Sequence, residues 1–228
     1  MIDKSAASAL DAVAPISDGD RIAIGGFGGA GMPAELIEAL LERGVGDLTL
    51  VTNNAGQGDT GLAALLKAGR VRKIVCSYPR MAGSHVFEDL YRQGHIELEL
   101  VPQGNLAERL RAAGCGIGAF YTPTAYGTEL AAGKETRQID GRHYVLEYPI
   151  AVDFALVGAR FADRWGNLTY RKTARNFGPV MAMAARHTIA LVDQIKPLGA
   201  LDPEHIVTPG IFVKAVVVRT ATPEFHAA

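Results

Sequence analysis

Residues 18–33, Asp-Gly-Asp-Arg-Ile-Ala-Ile-Gly-Gly-Phe-Gly-Gly-Ala-Gly-Met-Pro, contain the stretch that decides the fold of this chain. The apolar residues Ile22–Ile24 predict the end of a buried strand, and Pro33 predicts the start of a helix, where a missing N–H is not needed. Five glycines lie among residues 25–31 between them. Because glycine has no Cβ, such a loop can adopt positive φ and let an anion approach its main-chain amides. The following helix adds the positive end of its dipole, so the stretch predicts a cradle for a phosphate or a developing oxyanion.

The glycine spacing also fits the dinucleotide-binding pattern Gly-x-Gly-x-x-Gly at residues 26–31, between a strand and a helix. That pattern requires an acidic residue about 20 residues further on, which holds a ribose hydroxyl. Here the next predicted strand, 48–52, runs into Asn53, and the nearest acids, Asp47 and Asp59, flank the strand instead of ending it. Nicotinamide binding is therefore disfavoured.

The bulk composition indicates a globular cytoplasmic protein. The 228 residues are 48% hydrophobic and 21% charged, with 23 basic and 24 acidic side chains and a net charge of −1, so neither a basic nucleic-acid surface nor an acidic tail is expected. No apolar run is long enough to span a membrane, and residues 1–5 do not begin a signal peptide. Two cysteines fit a reduced compartment, and six histidines show no metal-ligand spacing, so no metal is expected.

The order of predicted elements indicates an α/β fold. Predicted strands lie at 21–24, 48–52, 72–77, 96–101, 154–160, 168–170, 188–193 and 211–219, and predicted helices at 5–13, 33–43, 60–67, 84–92, 105–112 and 178–186. Their alternation predicts an open, mostly parallel sheet with helices on both faces, as one domain over residues 1–228. Asp140-Gly141 predicts a β-hairpin over 137–148, residues 116–133 are expected to form a long loop, and the end at 222–228 is expected to fray.

Four predicted loops follow the first four strands of the sheet, at residues 25–31, 53–58, 77–83 and 102–104. In open α/β sheets, ligands bind at the carboxyl ends of the strands. We therefore expect these loops, which are distant in sequence, to converge on one site.

Residues 18–33 also resemble the signature of family I coenzyme A transferases in their A-type subunit. That signature is an acidic residue and Gly, two residues, three apolar residues, Gly-Gly-Phe, three residues and Gly-x-Pro, and every constrained position matches. The resemblance continues through residues 53–56, 101–104, 133–135, 166–168, 171–176 and 208–213. Within the family, the runs 75–80 and 107–120 look most like the 3-oxoadipate-type members. Acetoacetate-type members usually carry small residues where Pro79-Arg80 stands.

The resemblance implies an A-type subunit of an enzyme that moves CoA from succinyl-CoA to 3-oxoadipate, giving succinate and 3-oxoadipyl-CoA. It implies a ping-pong route through a glutamyl-CoA thioester. In this family the attacking glutamate lies on the B-type subunit, so a B subunit is the expected partner, in a heterodimer or heterotetramer. Coenzyme A is then a substrate, and no tightly bound cofactor is expected. Glu135 and Glu147 are the acids most tempting as nucleophiles here, and we expect both to be structural.

The resemblance also implies roles for individual residues. The amide of Gln103 would stabilise the thioester oxygen as charge develops, whereas on the residues alone it could be a helix cap or an exposed polar side chain. Of Asn53 and Asn54, we expect one to be a turn residue and one to touch substrate. Arg80 could pair with the distal carboxylate of 3-oxoadipate, or be a solvated loop arginine.

The glycine loop is expected to contact the acyl-CoA, through Gly25, Gly26, Phe27, Gly28, Gly29, Ala30 and Gly31. Phe27 is expected mainly to pack the loop down onto the core. The basic run Arg171, Lys172 and Arg175 could face the phosphates of CoA or form a contact between subunits.

Three alternatives remain open from the sequence. The acceptor could be acetoacetate or another 3-oxo acid. A sugar-phosphate isomerase would also use a glycine-rich phosphate loop, but it should carry its own acid and base residues in one chain. A non-catalytic module that binds CoA or another anion is the third.

Overall fold

The computed structural model describes residues 2–220. The helices are α1 Ala9–Val13, α2 Ala34–Arg43, α3 Leu62–Lys67, α4 His85–Arg92, α5 Gln103–Gly114 and α6 Gly178–Ala184. The strands are β1 Arg21–Ile24, β2 Leu48–Asn54, β3 Val71–Tyr78, β4 Glu97–Leu100, β5 Phe120–Thr122, β6 Thr136–Ile139, β7 Arg142–Glu147, β8 Val152–Gly158, β9 Phe161–Asp163, β10 Leu168–Thr169, β11 Ala185–Val192, β12 Gln194–Lys196 and β13 Val213–Val218. The predicted alternation of strands and helices is confirmed. The segment 222–228, expected to fray, lies outside the described residues.

The central sheet has seven strands in the order β13-β11-β8-β1-β2-β3-β4, and all its pairs are parallel. From β1 the chain adds strands in one direction to β4, then crosses back to β8 and adds β11 and β13 in the other direction. The direction therefore reverses between β1 and β8, which is where open α/β sheets bind ligands.

Alternate residues of the strands point into two separate cores. On one face, Ile22, Ile24, Leu50 and Leu156 pack with residues of α1 to α4. On the other face, Ala23, Val51, Val157 and Ala190 pack with residues of α5 and α6. Helices thus cover both faces, as predicted. Because both faces are covered, β2 is buried along its whole length.

A small antiparallel sheet, in the order β5-β7-β6, contains the predicted hairpin. Asp140 and Gly141 form its turn with φ of 49° and 77°, the positive values that a two-residue hairpin favours. The expected loop at 116–133 is partly wrong, because Phe120–Thr122 pairs with β7. Three residues without a clear period are too few to reveal such a strand in sequence.

A second small sheet, in the order β10-β9-β12, was mostly missed by the sequence analysis. Strands β9 and β12 have three residues each, and no strand was predicted over either segment. Their pairing is set by contacts between segments that are far apart in sequence. Short strands of this kind carry little local signal.

Two boundaries that bear on function also differ from expectation. Strand β2 continues through Asn53 and Asn54, which were expected in a loop. Helix α5 begins at Gln103, two residues before the expected start at Asn105. Both shifts move polar residues from loops onto regular elements, where their positions are fixed more tightly.

The predicted N-terminal helix at 5–13 is shorter in the structure. Ser5 instead forms a parallel bridge with Val216, and α1 begins only after Ser8, whose hydroxyl accepts the Asp11 N–H at 3.1 Å. Within the described residues, no helix is long and apolar enough to cross a membrane.

Both cysteines are free thiols. Burial raises the pKa of the Cys76 thiol to about 12, so it stays protonated at neutral pH and acts as a core side chain. Cys115 is exposed after the end of α5.

Candidate functional site

The glycine loop leaves the carboxyl end of β1, at the point where the strand order reverses. Phe27 and Ala30 exchange main-chain hydrogen bonds of 3.0 and 3.1 Å, so Gly28 and Gly29 form the tip of a tight turn. In the part of the chain that the structure describes, the N–H groups of these two glycines have no protein acceptor. The side chain of Phe27 is 52% exposed, so the expectation that it packs into the core is wrong.

The base of the glycine loop is held by one asparagine. The N–H of Gly26 donates to Asn176 Oδ1 at 3.2 Å, and Asn176 Nδ2 donates to the carbonyl of Ala30 at 2.9 Å. A Cβ on Gly31 would lie 2.5 Å from the carbonyl oxygen of Ala174, and Gly31 has φ of +76°. Gly31 is therefore required by the close approach of residues 174–176, which is a structural reason for a glycine there.

A cluster of amides lies at the carboxyl ends of β2 and β3 and the start of α5. Gln103 Nε2 donates to Asn53 Oδ1 at 2.8 Å, and the hydroxyl of Ser77 donates to the same oxygen at 2.8 Å. Asn53 is 5% exposed, whereas Gln103 is exposed. One N–H of the Gln103 amide is thus fixed on a buried acceptor, and the second N–H remains for a ligand.

Asn54 has a different environment from its neighbour. Its Oδ1 accepts the N–H of Gly56 at 2.9 Å, and its carbonyl accepts the hydroxyl of Thr52 at 2.5 Å. This is an Asx turn that ends the strand. The geometry fits the expectation that one asparagine of the pair is structural, and it places Asn53 with Gln103.

The first turn of α5 is anchored by a buried carboxylate. Glu147 is 2% exposed and accepts hydrogen bonds from Lys134 Nζ at 2.7 Å and Asn105 Nδ2 at 3.1 Å. Arg109 Nε lies 3.7 Å from the other oxygen of Glu147. Since Asn105 is two residues from Gln103, this network fixes the helix end that carries the amide. The arrangement agrees with a structural role for Glu147.

Two further acids near this network are also paired. Burial alone would raise the pKa of Glu99, but hydrogen bonds from Lys73 at 2.7 Å and Arg109 at 3.1 Å outweigh it and lower that pKa. Glu135 accepts the hydroxyl of Tyr121 and lies 3.8 Å from Arg137, and its side chain is half exposed. Within residues 2–220, no group of three or more His, Cys, Asp or Glu side chains could hold a metal ion.

Arg80 lies outside the amide cluster. Its guanidinium pairs with Glu88 of α4 at 3.3 Å and is 72% exposed, and Arg92 pairs with the same carboxylate at 3.1 Å. A hydrogen bond from Ser84 and the two arginines lower the pKa of Glu88. The loop that carries Arg80 is tied to the loop after β2, because the N–H of Gly58 donates to the carbonyl of Gly83 at 2.9 Å. Arg80 therefore lies at the same edge of the sheet as Gln103, and its guanidinium forms an ion pair with Glu88.

The family model described as "Coenzyme A transferase" matches residues 6–219. The chain belongs to the coenzyme A transferase family. It is 66% identical to the A-type subunit of the 3-oxoadipate CoA-transferase of Pseudomonas putida, over 95% of this chain and 94% of that protein. It is 63% identical to the A-type subunit of the enzyme of the same name from Acinetobacter baylyi, over 98% of both chains.

The fold of this coenzyme A transferase is also that of a solved acyl-CoA transferase from Escherichia coli O157:H7, described as a thioester complex with CoA. The two superpose with a TM-score of 0.88 at 23% identity, over 98% of this chain and 51% of that chain. This chain therefore corresponds to about half of the larger protein. The expected fold class and family are both confirmed.

Sequence reasoning about this coenzyme A transferase missed two residues that organise the candidate site. Asn176 lies in a run that resembles the family but had no assigned role, and Ser77 was only the first residue of a loop. Each acts through hydrogen bonds to segments far away in sequence, at separations of 150 and 24 residues. For Asn176, the feature of the sequence that could have indicated a role was its position in the run 171–176, which resembles the family.

Substitution of Gly31 by alanine should strongly destabilise the fold, since the new Cβ meets a backbone carbonyl and the residue has positive φ. We expect a loss of at least about 2 kcal/mol in the free energy of unfolding. Gly29→Ala is the matched control in the same loop, because its Cβ would meet nothing within 4 Å. Urea unfolding of the two variants measures the difference, and equal midpoints would contradict the proposed close approach.

Proposed function

We propose that this chain is the A-type half of a two-subunit enzyme that transfers CoA from succinyl-CoA to 3-oxoadipate, releasing succinate and 3-oxoadipyl-CoA. The names of its 66% and 63% identical relatives support this activity and a B-type partner. In the structure, the proposal depends on the fixed amide of Gln103 at the carboxyl edge of the sheet. The chain would act as one A-type domain over residues 1–228.

The proposed reaction uses a glutamate of the partner as nucleophile. Its carboxylate attacks the thioester carbonyl of succinyl-CoA, forming an acyl-glutamyl anhydride and releasing the CoA thiolate. The thiolate then attacks the glutamyl carbonyl, which gives glutamyl-CoA and free succinate. The carboxylate of 3-oxoadipate repeats these two steps in reverse and leaves with the CoA. The glutamates of this chain fit other roles, because Glu147 is buried in ion pairs and Glu135 is bound to Tyr121.

The part of this chain in that reaction would be electrostatic. Each attack on a carbonyl carbon moves negative charge onto the carbonyl oxygen, and an oriented N–H stabilises that charge without having to reorganise. The Gln103 amide suits this task because Asn53 and the first turn of α5 hold it in place. A neutral donor also does not capture the free carboxylate substrates as tightly as a cation would.

The glycine loop would contact the acyl-CoA through the free N–H groups at its tip, beside the amide cluster. Strands β1 and β2 are paired with Ala23 opposite Val51. Because these neighbouring strands are parallel, the glycine loop after β1 and Asn53 near the end of β2 both lie at the carboxyl edge of the sheet. In this proposal coenzyme A is a substrate and not a resident cofactor, and the two free thiols accord with a cytoplasmic location.

The proposal that the B subunit carries the nucleophile can be tested by purifying the chain with and without a B subunit. We expect turnover of succinyl-CoA and 3-oxoadipate only in the mixture. Mass spectrometry of the mixture after incubation with succinyl-CoA alone should find the glutamyl-CoA adduct on the B-type polypeptide. Turnover by the isolated chain, or an adduct on one of its own glutamates, would refute the proposal.

Replacement of Gln103 by alanine in the assembled enzyme should lower kcat by about 10²–10³-fold, the usual effect of removing one oxyanion donor. Binding of the B subunit, measured by size-exclusion chromatography, should be retained. Gln93→Ala is the control, since Gln93 is an exposed glutamine at the end of α4. A change in KM alone, with kcat intact, would assign Gln103 to ground-state binding.

Arg80→Ala should raise the KM for 3-oxoadipate by about tenfold or more, because a charged hydrogen bond to the distal carboxylate would be lost. Turnover with acetoacetate, which lacks that carboxylate, should change little. Arg92→Ala removes a second cation from the same Glu88 and serves as the control. Equal losses with both acids would show that Arg80 does not recognise the distal carboxylate.

A further inference from the structure

A cavity of about 590 Å³ lies between the small sheet β10-β9-β12 and the turn before α6. Four cations line it: Arg160, Lys172, Arg175 and Lys196. They come from three separate segments of the chain: the connection between β8 and β9, the turn Lys172–Arg175 and strand β12. The tertiary fold therefore brings positive side chains from segments that are distant in sequence into one cavity.

Four cations and two carboxylates line the cavity, so its formal net charge is +2. Among residues 2–220, no carboxylate forms an ion pair with any of its four cations. Asp202 and Glu204 also line the cavity, but Asp202 is engaged by His205 at 3.3 Å and by the N–H of Glu204 at 3.0 Å. Arg160 and Lys196 instead lie 4.7 and 4.6 Å from the ring centre of Phe161. Because the four cations outnumber the two carboxylates and form an ion pair with neither, an anion in the cavity would reduce their mutual repulsion.

One polar group of the lining lacks a hydrogen-bond partner within the described part of the chain. Thr169 is 9% exposed, and its Oγ1 is buried with no hydrogen-bond partner. A buried hydroxyl without a hydrogen-bond partner lowers the stability of the fold, and few buried polar groups in native proteins lack a partner.

We propose that this cavity binds a phosphate group. Arginine forks match phosphate oxygens in pairs, and lysines add point charge. The volume of about 590 Å³ admits a phosphate together with an attached nucleoside. The phosphate could belong to the nucleotide end of coenzyme A, an assignment that rests on the proposed function, or be free inorganic phosphate.

The cavity is connected to the glycine loop through the main chain and through hydrogen bonds. The turn Lys172–Arg175 leads directly into Asn176, which holds Gly26 and Ala30 by hydrogen bonds. The same turn supplies the carbonyl of Ala174, against which Gly31 packs. An anion bound by Lys172 and Arg175 would therefore hold the segment that positions the glycine loop.

Calorimetric titration of the full chain, by itself and in complex with the B subunit, tests this site with two probes, adenosine 3′,5′-bisphosphate and inorganic phosphate. The double variant Lys172→Gln with Lys196→Gln should weaken binding about tenfold or more, whereas Lys172→Arg with Lys196→Arg should retain it. Arg186→Gln is the control, because Arg186 is an 81%-exposed cation outside the cavity. Thermal unfolding of each variant separates lost binding from lost folding.

Each outcome decides the proposal. Variant-sensitive binding that is tighter for the bisphosphate supports a site for the nucleotide end of CoA, and equal, competitive binding supports a site for free phosphate. No binding, or binding that the double variant leaves unchanged, overturns the site. If the double variant no longer associates with the B-type partner and no phosphate binding is found, the site is also overturned, in favour of an acidic partner segment. Since no acyl transfer is measured, failure here leaves the proposed transferase activity standing.

Discussion

The close approach of three backbone segments at the reversal point of the sheet is the constraint on which the candidate site depends. A Cβ on Gly158 at the end of β8 would lie 2.6 Å from the carbonyl of Gly31, and a Cβ on Gly31 would lie 2.5 Å from the carbonyl of Ala174. Only glycines allow the loop after β1 to be packed between β8 and the turn before α6. The hydrogen bonds of Asn176 then become possible, and the loop tip is held with its amides free. Glycine thus allows close packing at the base of this loop, and at its tip the amides of Gly28 and Gly29 have no protein acceptor among the described residues.

On the other side of β1, the site is built from hydrogen bonds instead of close backbone contact. Asn53 is the penultimate residue of a fully buried strand, so its side chain has little freedom, and its Oδ1 accepts hydrogen bonds from both Ser77 and Gln103. An exposed glutamine would ordinarily lose side-chain entropy on binding a ligand. Here part of that cost is met during folding, because the amide is already oriented. The buried Glu147 contributes in the same way by fixing the first turn of α5 through Asn105.

The sequence was sufficient to predict those parts of the fold that depend on a local pattern of residues. Buried strands such as β2 and glycine-terminated helices such as α2, which ends at Gly44 with φ of 72°, have signals within a few residues. The glycine stretch and the resemblance it carries were sufficient for the family. The short strands β9 and β12 were missed because their pairing partners are distant in sequence. The partners of Asn53 and Asn176 were missed for the same reason, since a hydrogen bond between separate loops leaves no periodicity. Phe27 was misjudged because an aromatic residue beside glycines looks like a core anchor, yet it projects outward.

The carboxyl edge of the sheet therefore has two chemically different halves that meet at the glycine loop. Around β2, β3 and α5, the exposed donor is a neutral amide, suited to charge that appears only during reaction. Around β9, β12 and the turn before α6, the lining is cationic, suited to a charge that is permanent. A ligand with a permanently charged end and a reactive carbonyl end would be held by the cationic half and activated at the neutral amide. Separating the two matters, because a cation at the reactive end would stabilise a bound carboxylate as much as the transition state, and binding both equally does not accelerate the chemical step.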